Sequence, residues 1–253
     1  NHGDKSFFQR ILNYGFRGFL DSTSSIILHT NYSRQKFSCV YPEFEEKIEK
    51  VVHGLLDFPP AKQPKKFNFP FKSEKVLLFF GNIERYKGLD VLIKAMPYLR
   101  DEDIKLLIAG KPHIDIDLLK NLAKNLDVYE NIHWHTFFIE NQDVSEIYDS
   151  SDLIVLPHRH IDQSGILMTA INFGKPIIAS DTGGFSEIIE NGKHGYLFEP
   201  GNSKDLALKV LKALEQDKTY EMEKEVLSLK QSWKSWREIS IKTLGIYKRV
   251  LDN

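Results

Sequence analysis

Six short apolar runs, spaced by stretches of helical periodicity, constrain this chain more than any other feature. They are Val76–Phe80, Lys105–Ala109, Asn131–Thr136, Asp152–Leu156, Ile177–Ser180 and Gly195–Phe198. The first is unbroken Val-Leu-Leu-Phe-Phe, so a strand formed there is covered on both faces, as parallel strands are. Between the runs lie helical patterns at Leu89–Leu99, Leu118–Leu126 and Val144–Ser150, and a short helix opened by Ser164-Gly165. From Asp205 the pattern reads as helical to the end, with Trp233 and Trp236 leading a last helix. Strands alternating with helices predict an α/β fold with a doubly wound, parallel, Rossmann-like sheet. In such sheets ligands sit beyond the carboxyl ends of the strands, where Gly81, Gly110, Pro157 and Asp181 fall.

Upstream, Phe7, Phe8, Ile11, Leu12, Phe16 and Phe19 fall at near-helical spacing over residues 5–20, predicting an amphipathic helix whose aromatic face packs into a core, with a membrane or acceptor surface as the alternative. Short strands are expected at Ser25–His29 and at Lys47 to Gly54, with Asn31-Tyr32-Ser33 capping a helix between them. This is β-α-β material without a beginning, so a chain opening at Asn1 reads as the tail of a partial N-terminal α/β domain over residues 1–60. The Pro-, Lys- and Phe-rich stretch from Phe58 to Phe71 has no periodicity and reads as an interdomain linker, placed at 61–72. A second domain follows over 73–232.

Composition excludes several classes. Thirty-four Lys and Arg against 35 Asp and Glu leave a net charge of −1, so no global field argues for nucleic acid. The single cysteine, Cys39, excludes a disulfide framework and a cysteine-based metal site. No apolar run approaches the ~18 residues of a membrane span, and no stretch of this sequence reads as a signal peptide. A cytoplasmic protein is expected, with peripheral attachment at the inner face of the membrane left open.

Three motifs sit at strand ends. Gly81-Asn82-Ile83-Glu84-Arg85-Tyr86-Lys87-Gly88 places two cations on a glycine-bounded turn, which suits a diphosphate but equally describes a solvated basic loop. It is not a P-loop, nor is there a Gly-x-Gly-x-x-Gly fingerprint. Gln163-Ser164-Gly165-Ile166-Leu167 would present unpaired backbone N–H groups of a helix start to an anion; its plain reading is an N-cap at Ser164. Ser180-Asp181-Thr182-Gly183-Gly184, followed by Glu187, reads by itself as a tight turn. His158 and His160 flank Arg159 without a third ligand nearby, so no metal site is expected, and His2 and His53 each lie near an expected strand end.

Taken in order, these motifs resemble the nucleotide-sugar-binding half of the group 1 glycosyltransferases, the GT-B family that includes sucrose synthase and many bacterial polysaccharide enzymes. Phe80-Gly81 through Lys87-Gly88 resembles its phosphate loop. Gln163-Ser164-Gly165 with Gly174-Lys175-Pro176, and Ser180 through Gly184 with Glu187, are similar to its second signature region. The resemblance covers residues ~75–250 well and 1–60 more weakly. It implies that residues 233–253 form a helix crossing back to the N-terminal domain, which takes the acceptor across a cleft.

The resemblance further implies a retaining, metal-independent, hexosyltransferase-like enzyme without a cofactor, moving sugar from a UDP- or GDP-type nucleotide sugar to a glycan or lipid-linked acceptor in polysaccharide biosynthesis. By matched position, Arg85 and Lys87 would hold the donor diphosphate and stabilise the leaving group. Gly81, Asn82, Gly110, Phe138, Ile139, Gln163, Ser164, Gly165, Ile166, Leu167 and Thr169 would line the donor site, the loop Thr136–Glu140 holding the base. His2, His53 and His158 are candidate acceptor or sugar contacts. Two departures stand out. Where the family often carries two glutamates eight positions apart, this chain has Thr169 at the later place and Ile161 or Asp162 at the earlier. Asn82 replaces the first phosphate-binding arginine. A catalytically silent nucleotide-sugar-binding or partner subunit, and a nucleotide-sugar epimerase, are the alternatives.

Overall fold

The computed structural model describes residues 15–58 and 75–252. The chain divides into two compact units, Asn1–His53 with Lys234–Asn253, and Gly54–Trp233. Residues 5–14 of the helix expected over 5–20, and most of the Phe58–Phe71 stretch, lie outside the described residues.

The larger unit is built on six parallel strands, β3 (Lys75–Phe80), β4 (Ile104–Ala109), β5 (Ile132–His135), β6 (Leu153–Leu156), β7 (Ile177–Ser180) and β8 (Gly195–Phe198). Their spatial order is β5-β4-β3-β6-β7-β8, so the winding reverses between β3 and β6. The alternation of side chains explains the unbroken apolar runs. Leu77, Phe79, Leu106, Ile108, Leu153 and Val155 enter one buried cluster, and their neighbours Val76, Leu78, Leu107, Ala109, Ile154 and Leu156 enter the other. The first cluster is closed by α3 (Leu89–Ala95), α4 (Ile116–Asn125) and α7 (Ser203–Ala213), the second by α5 (Val144–Asp149) and α6 (Gly165–Asn172). Helix α8 (Lys218–Ser232) sends Met222 into the first and Val226 into the second.

Two expected helices are shorter than their patterns. The helix from Leu89 stops at Ala95 and continues as a 3-10 turn over Met96–Glu102, because Pro97 cannot donate to the ladder. The C-terminal pattern is not continuous: it is cut at Asp217, which adopts a left-handed conformation (φ 63°), and again before Ser235, whose capping box with Glu238 starts α9 (Trp236–Leu251).

The smaller unit contains α1 (residues 15–22), α2 (Asn31–Val40), α9 and a two-stranded parallel sheet of β1 (Ile26–Leu28) and β2 (Ile48–Lys50). The cap of α2 is Thr30, whose hydroxyl accepts from Ser33 N, rather than the residues after it. That early turn leaves β1 three residues long, so pairing with β2 ends soon after Lys50 instead of running to Gly54. Ile239 and Ile246 of α9 pack with Val51, Ile27 and Val52. The aromatic face expected over residues 5–20 is not core where it is described: Phe16 and Phe19 are exposed and stack on each other, while Leu20 is buried.

Leu107 lies fully buried in β4, between the central strand and β5. Leu107→Ala should lower unfolding free energy by about 3 kcal/mol through lost transfer and cavity terms, read by urea denaturation.

Candidate functional site

The loops leaving β3 and β6 meet where the winding reverses, and a glycine makes that contact possible. Gly88 has φ +70°, and a Cβ placed on it would lie 1.9 Å from the carbonyl oxygen of Pro157. The loop after β4 is equally tight: a Cβ on Gly110 would come within 2.0 Å of Gly81 O. Ile83 is fully buried and pinned to that loop by its N–H on Lys111 O (2.8 Å) and by His113 N on its own carbonyl (2.9 Å).

Within this frame the turn Arg85–Lys87 is one 3-10 segment closed by Gly88. Lys87 is buried, at 7% exposure, and burial lowers its pKa against the opposing effect of Glu84. The space that a Cβ on Gly81 would fill is bounded by Lys87 Nζ at 3.3 Å and by Ile166 Cδ1 at 3.0 Å. Ammonium, glycine backbone and the first turn of α6 therefore converge. Ser164 caps α6, its hydroxyl accepting from Leu167 N at 3.2 Å. The N–H groups of Gly165 and Ile166 precede the first intrahelical acceptor, at the positive end of the helix dipole.

The two cations that the sequence puts on one loop point to different places. Lys87 faces Gly81 and α6. Arg85 is exposed and borders an open groove of about 710 Å³ shared with Glu84, Asp90, Ile114, Asp115, Leu118 and Arg159 on the α3 and α4 side. Asn82 is exposed. Phe138 is 68% exposed, as is its neighbour Phe137 at 66%, while Ile139 packs partly against the second core cluster. Thr169 does not open onto the site: it is buried, and its hydroxyl donates to Gly165 O at 3.0 Å. That back-bond spends the hydroxyl inside the helix.

His158 is 2% exposed, with its ring edge-on to Phe185 (5.4 Å) and tilted against Tyr86 (5.9 Å). Its carbonyl accepts from Ser180 Oγ at 2.6 Å, which ties the Ser180–Gly184 turn to the same loop. His158 Nδ1 and Gln163 Nε2 are buried without hydrogen-bond partners among the described residues. Burial first, and the charge of Lys87 second, depress the His158 pKa to about 4, so the imidazole is neutral at pH 7. His53 belongs to the smaller unit, between the rings of His29 (5.9 Å) and Trp236 (5.7 Å). His2 lies outside the described residues. Among the described residues, no three His, Cys, Asp or Glu side chains are grouped to hold a metal ion, and no helix is long and apolar enough to cross a membrane.

Sequence reasoning missed the tie made by Arg159. Its backbone N–H donates to Tyr86 O (2.7 Å), its Nη1 to Arg85 O (2.8 Å), and its Nη2 to both carboxylate oxygens of Asp90 (2.9 and 2.7 Å). Burial pushes the Asp90 carboxyl up, but the hydrogen bond and charge of Arg159, with Lys94, outweigh it and hold the pKa below the usual range. An Asp in the first turn of a helix is ordinary, and nothing in the spacing of residues 90 and 159 announces their pairing.

This architecture is that of the GT-B glycosyltransferases. Sucrose-phosphate synthase from Thermosynechococcus elongatus superposes with a TM-score of 0.79 at 18% identity, over 93% of this chain and 60% of that one. Anabaena HepE, solved with UDP and glucose, superposes at 0.78 and 18% identity, over 89% and 63%. The family model for glycosyl transferases group 1 matches residues 61–226, and the chain belongs to that family. Its relatives include an uncharacterised glycosyltransferase of Methanocaldococcus jannaschii, 28% identical over 87% of this chain and 58% of that protein, and spore coat protein SA of Bacillus subtilis, 24% identical over 91% and 66%. The chain thus spans about three fifths of the length of such relatives.

Because the folded chain holds His158 neutral at a pH where the unfolded chain protonates it, stability is complete above about pH 6.5 and declines as pH falls toward 4. Between pH 6.5 and 5 the wild type should lose about 2 kcal/mol more than His158→Gln, measured by urea unfolding at each pH.

Proposed function

We propose that the chain carries the donor half of a retaining glycosyltransferase, which moves a hexose-type sugar from a UDP- or GDP-type nucleotide sugar to a glycan or lipid-linked acceptor. The observation that carries this reading is Lys87, a largely buried residue whose ammonium lies beside Gly81 and the start of α6. No carboxylate forms an ion pair with it among the described residues. A buried cation without a pair is costly, and an anion entering from solvent offsets that cost. A diphosphate would meet Lys87 on one side and the N–H groups of Gly165 and Ile166 on the other. The exposed Phe137 and Phe138 offer aromatic surface to a base. That a structural neighbour was crystallised with UDP and with UDP-glucose supports the same ligand class.

In the transfer step, the bond from the sugar's anomeric carbon to the diphosphate oxygen breaks and its electron pair leaves with the nucleotide. The acceptor hydroxyl oxygen forms the new bond to the anomeric carbon, and its proton passes to the departing diphosphate oxygen. Lys87 and the α6 N–H groups then stabilise charge where it develops, on the leaving diphosphate. The buried Thr169 favours one second reading, a nucleotide-sugar-binding protein that does not turn over, since no carboxylate occupies that place.

Calorimetry should show UDP or GDP binding in preference to NAD, with Lys87→Ala weakening it at least tenfold, as expected for loss of about 1.5–3 kcal/mol of charged hydrogen bonding. Equal binding by both proteins would reject the phosphate assignment. Product analysis with a nucleotide-sugar panel and the full-length protein separates transfer, with anomeric configuration retained, from silent binding.

A further inference from the structure

The guanidinium of Arg159 lies at the edge of the proposed donor site with three of its five N–H donors already engaged. Both oxygens of Asp90 accept from its Nη2, and its Nη1 is spent on Arg85 O. The acceptors bracket Lys87. Arg85 and Tyr86, whose carbonyls Arg159 engages through side chain and main chain, are the two residues before it; Asp90, in the first turn of α3, lies three residues after it. Gly88, between Lys87 and Asp90, is seated against Pro157 O, two residues before Arg159.

We propose that Arg159 and Asp90 are a positioning pair for Lys87: by tying the loop after β6 to the turn after β3, they set where the ammonium meets the donor diphosphate. This rests on the nucleotide-sugar reading of the site. The pair touches no substrate itself. Its effect passes through the 3-10 turn, whose internal bonds, Lys87 N on Glu84 O (3.1 Å) and Gly88 N on Arg85 O (3.3 Å), are of the i→i+3 kind with poorer geometry than an α-helix's. Arginine is required because one planar fork must serve a carbonyl and a carboxylate together, which a lysine point charge cannot do. Lys94 also approaches Asp90, at 3.5 Å, but it is an exposed neighbour on the same helix, and among the described residues no hydrogen bond or ion pair joins it to the turn.

The test is a double-mutant cycle read by calorimetry with UDP and GDP, on wild type, Lys87→Ala, Arg159→Met and the double variant, with thermal melts confirming folding. Asp90→Asn is the second probe, retaining shape while removing the charge, and Lys94→Gln is the control. Arg159→Met and Asp90→Asn should each weaken binding about tenfold, Lys94→Gln should not change it, and most of the Arg159→Met effect should vanish once Lys87 is alanine. Wild-type affinity in folded Arg159→Met and Asp90→Asn overturns the pair while leaving the Lys87 site intact. So does full additivity with Lys87→Ala, which would mean that Arg159 acts independently of the ammonium. If wild type binds neither nucleotide, the functional reading falls, and the positioning role with it.

Discussion

The candidate site depends on two loops from adjacent central strands being allowed to touch. Where the winding reverses between β3 and β6, backbone meets backbone: Gly88 presses on the carbonyl of Pro157, and any side chain there would occupy that oxygen's place. Left-handed φ and the close approach both demand glycine. Once the loops are in contact, Arg159 ties them by hydrogen bonds, Gly81 leaves room for an ammonium, and the first turn of α6 faces the same space. Sheet topology thus acts on function through a steric condition at one residue.

Electrostatics inside that frame follow from burial. Lys87 is held in a place where its charge is costly, and His158, equally buried next to it, stays neutral instead of adding a second cation. Arg159, the third basic group nearby, is neutralised by Asp90. Of Lys87, His158 and Arg159, the Lys87 ammonium is the charge left without a carboxylate partner among the described residues, beside helix N–H groups. The proposed diphosphate, with more than one oxygen to share, is the kind of anion that suits such an arrangement.

Much of the larger unit was legible in the sequence because parallel strands buried on both faces need unbroken apolar runs, and all six expected runs became strands of one sheet. The stop at Ala95 was also readable, from Pro97, though the apolar pattern through Leu99 masked it. The cut at Asp217 was not readable: it rests on a left-handed residue that is neither Gly nor Asn. At the site, the sequence identified the loops but not their side-chain directions. Arg85 and Lys87 are two residues apart, yet the tight turn sends them toward different helices. Thr169 sits at the matched family position, but α6 turns it inward to its own backbone. Pairing of Asp90 with Arg159 joins residues 69 positions apart and is a product of winding order, which no local pattern encodes.

The central claim is that the space between Lys87, Gly81 and the start of α6 takes a diphosphate. A crystal structure with UDP bound tests it most directly. The account predicts phosphate oxygens within hydrogen-bond distance of Lys87 Nζ and of the Gly165 or Ile166 N–H groups, with Arg159 still paired to Asp90. A diphosphate seated instead in the groove of Arg85, Asp115 and Leu118, or bound by Arg159 released from Asp90, would contradict it.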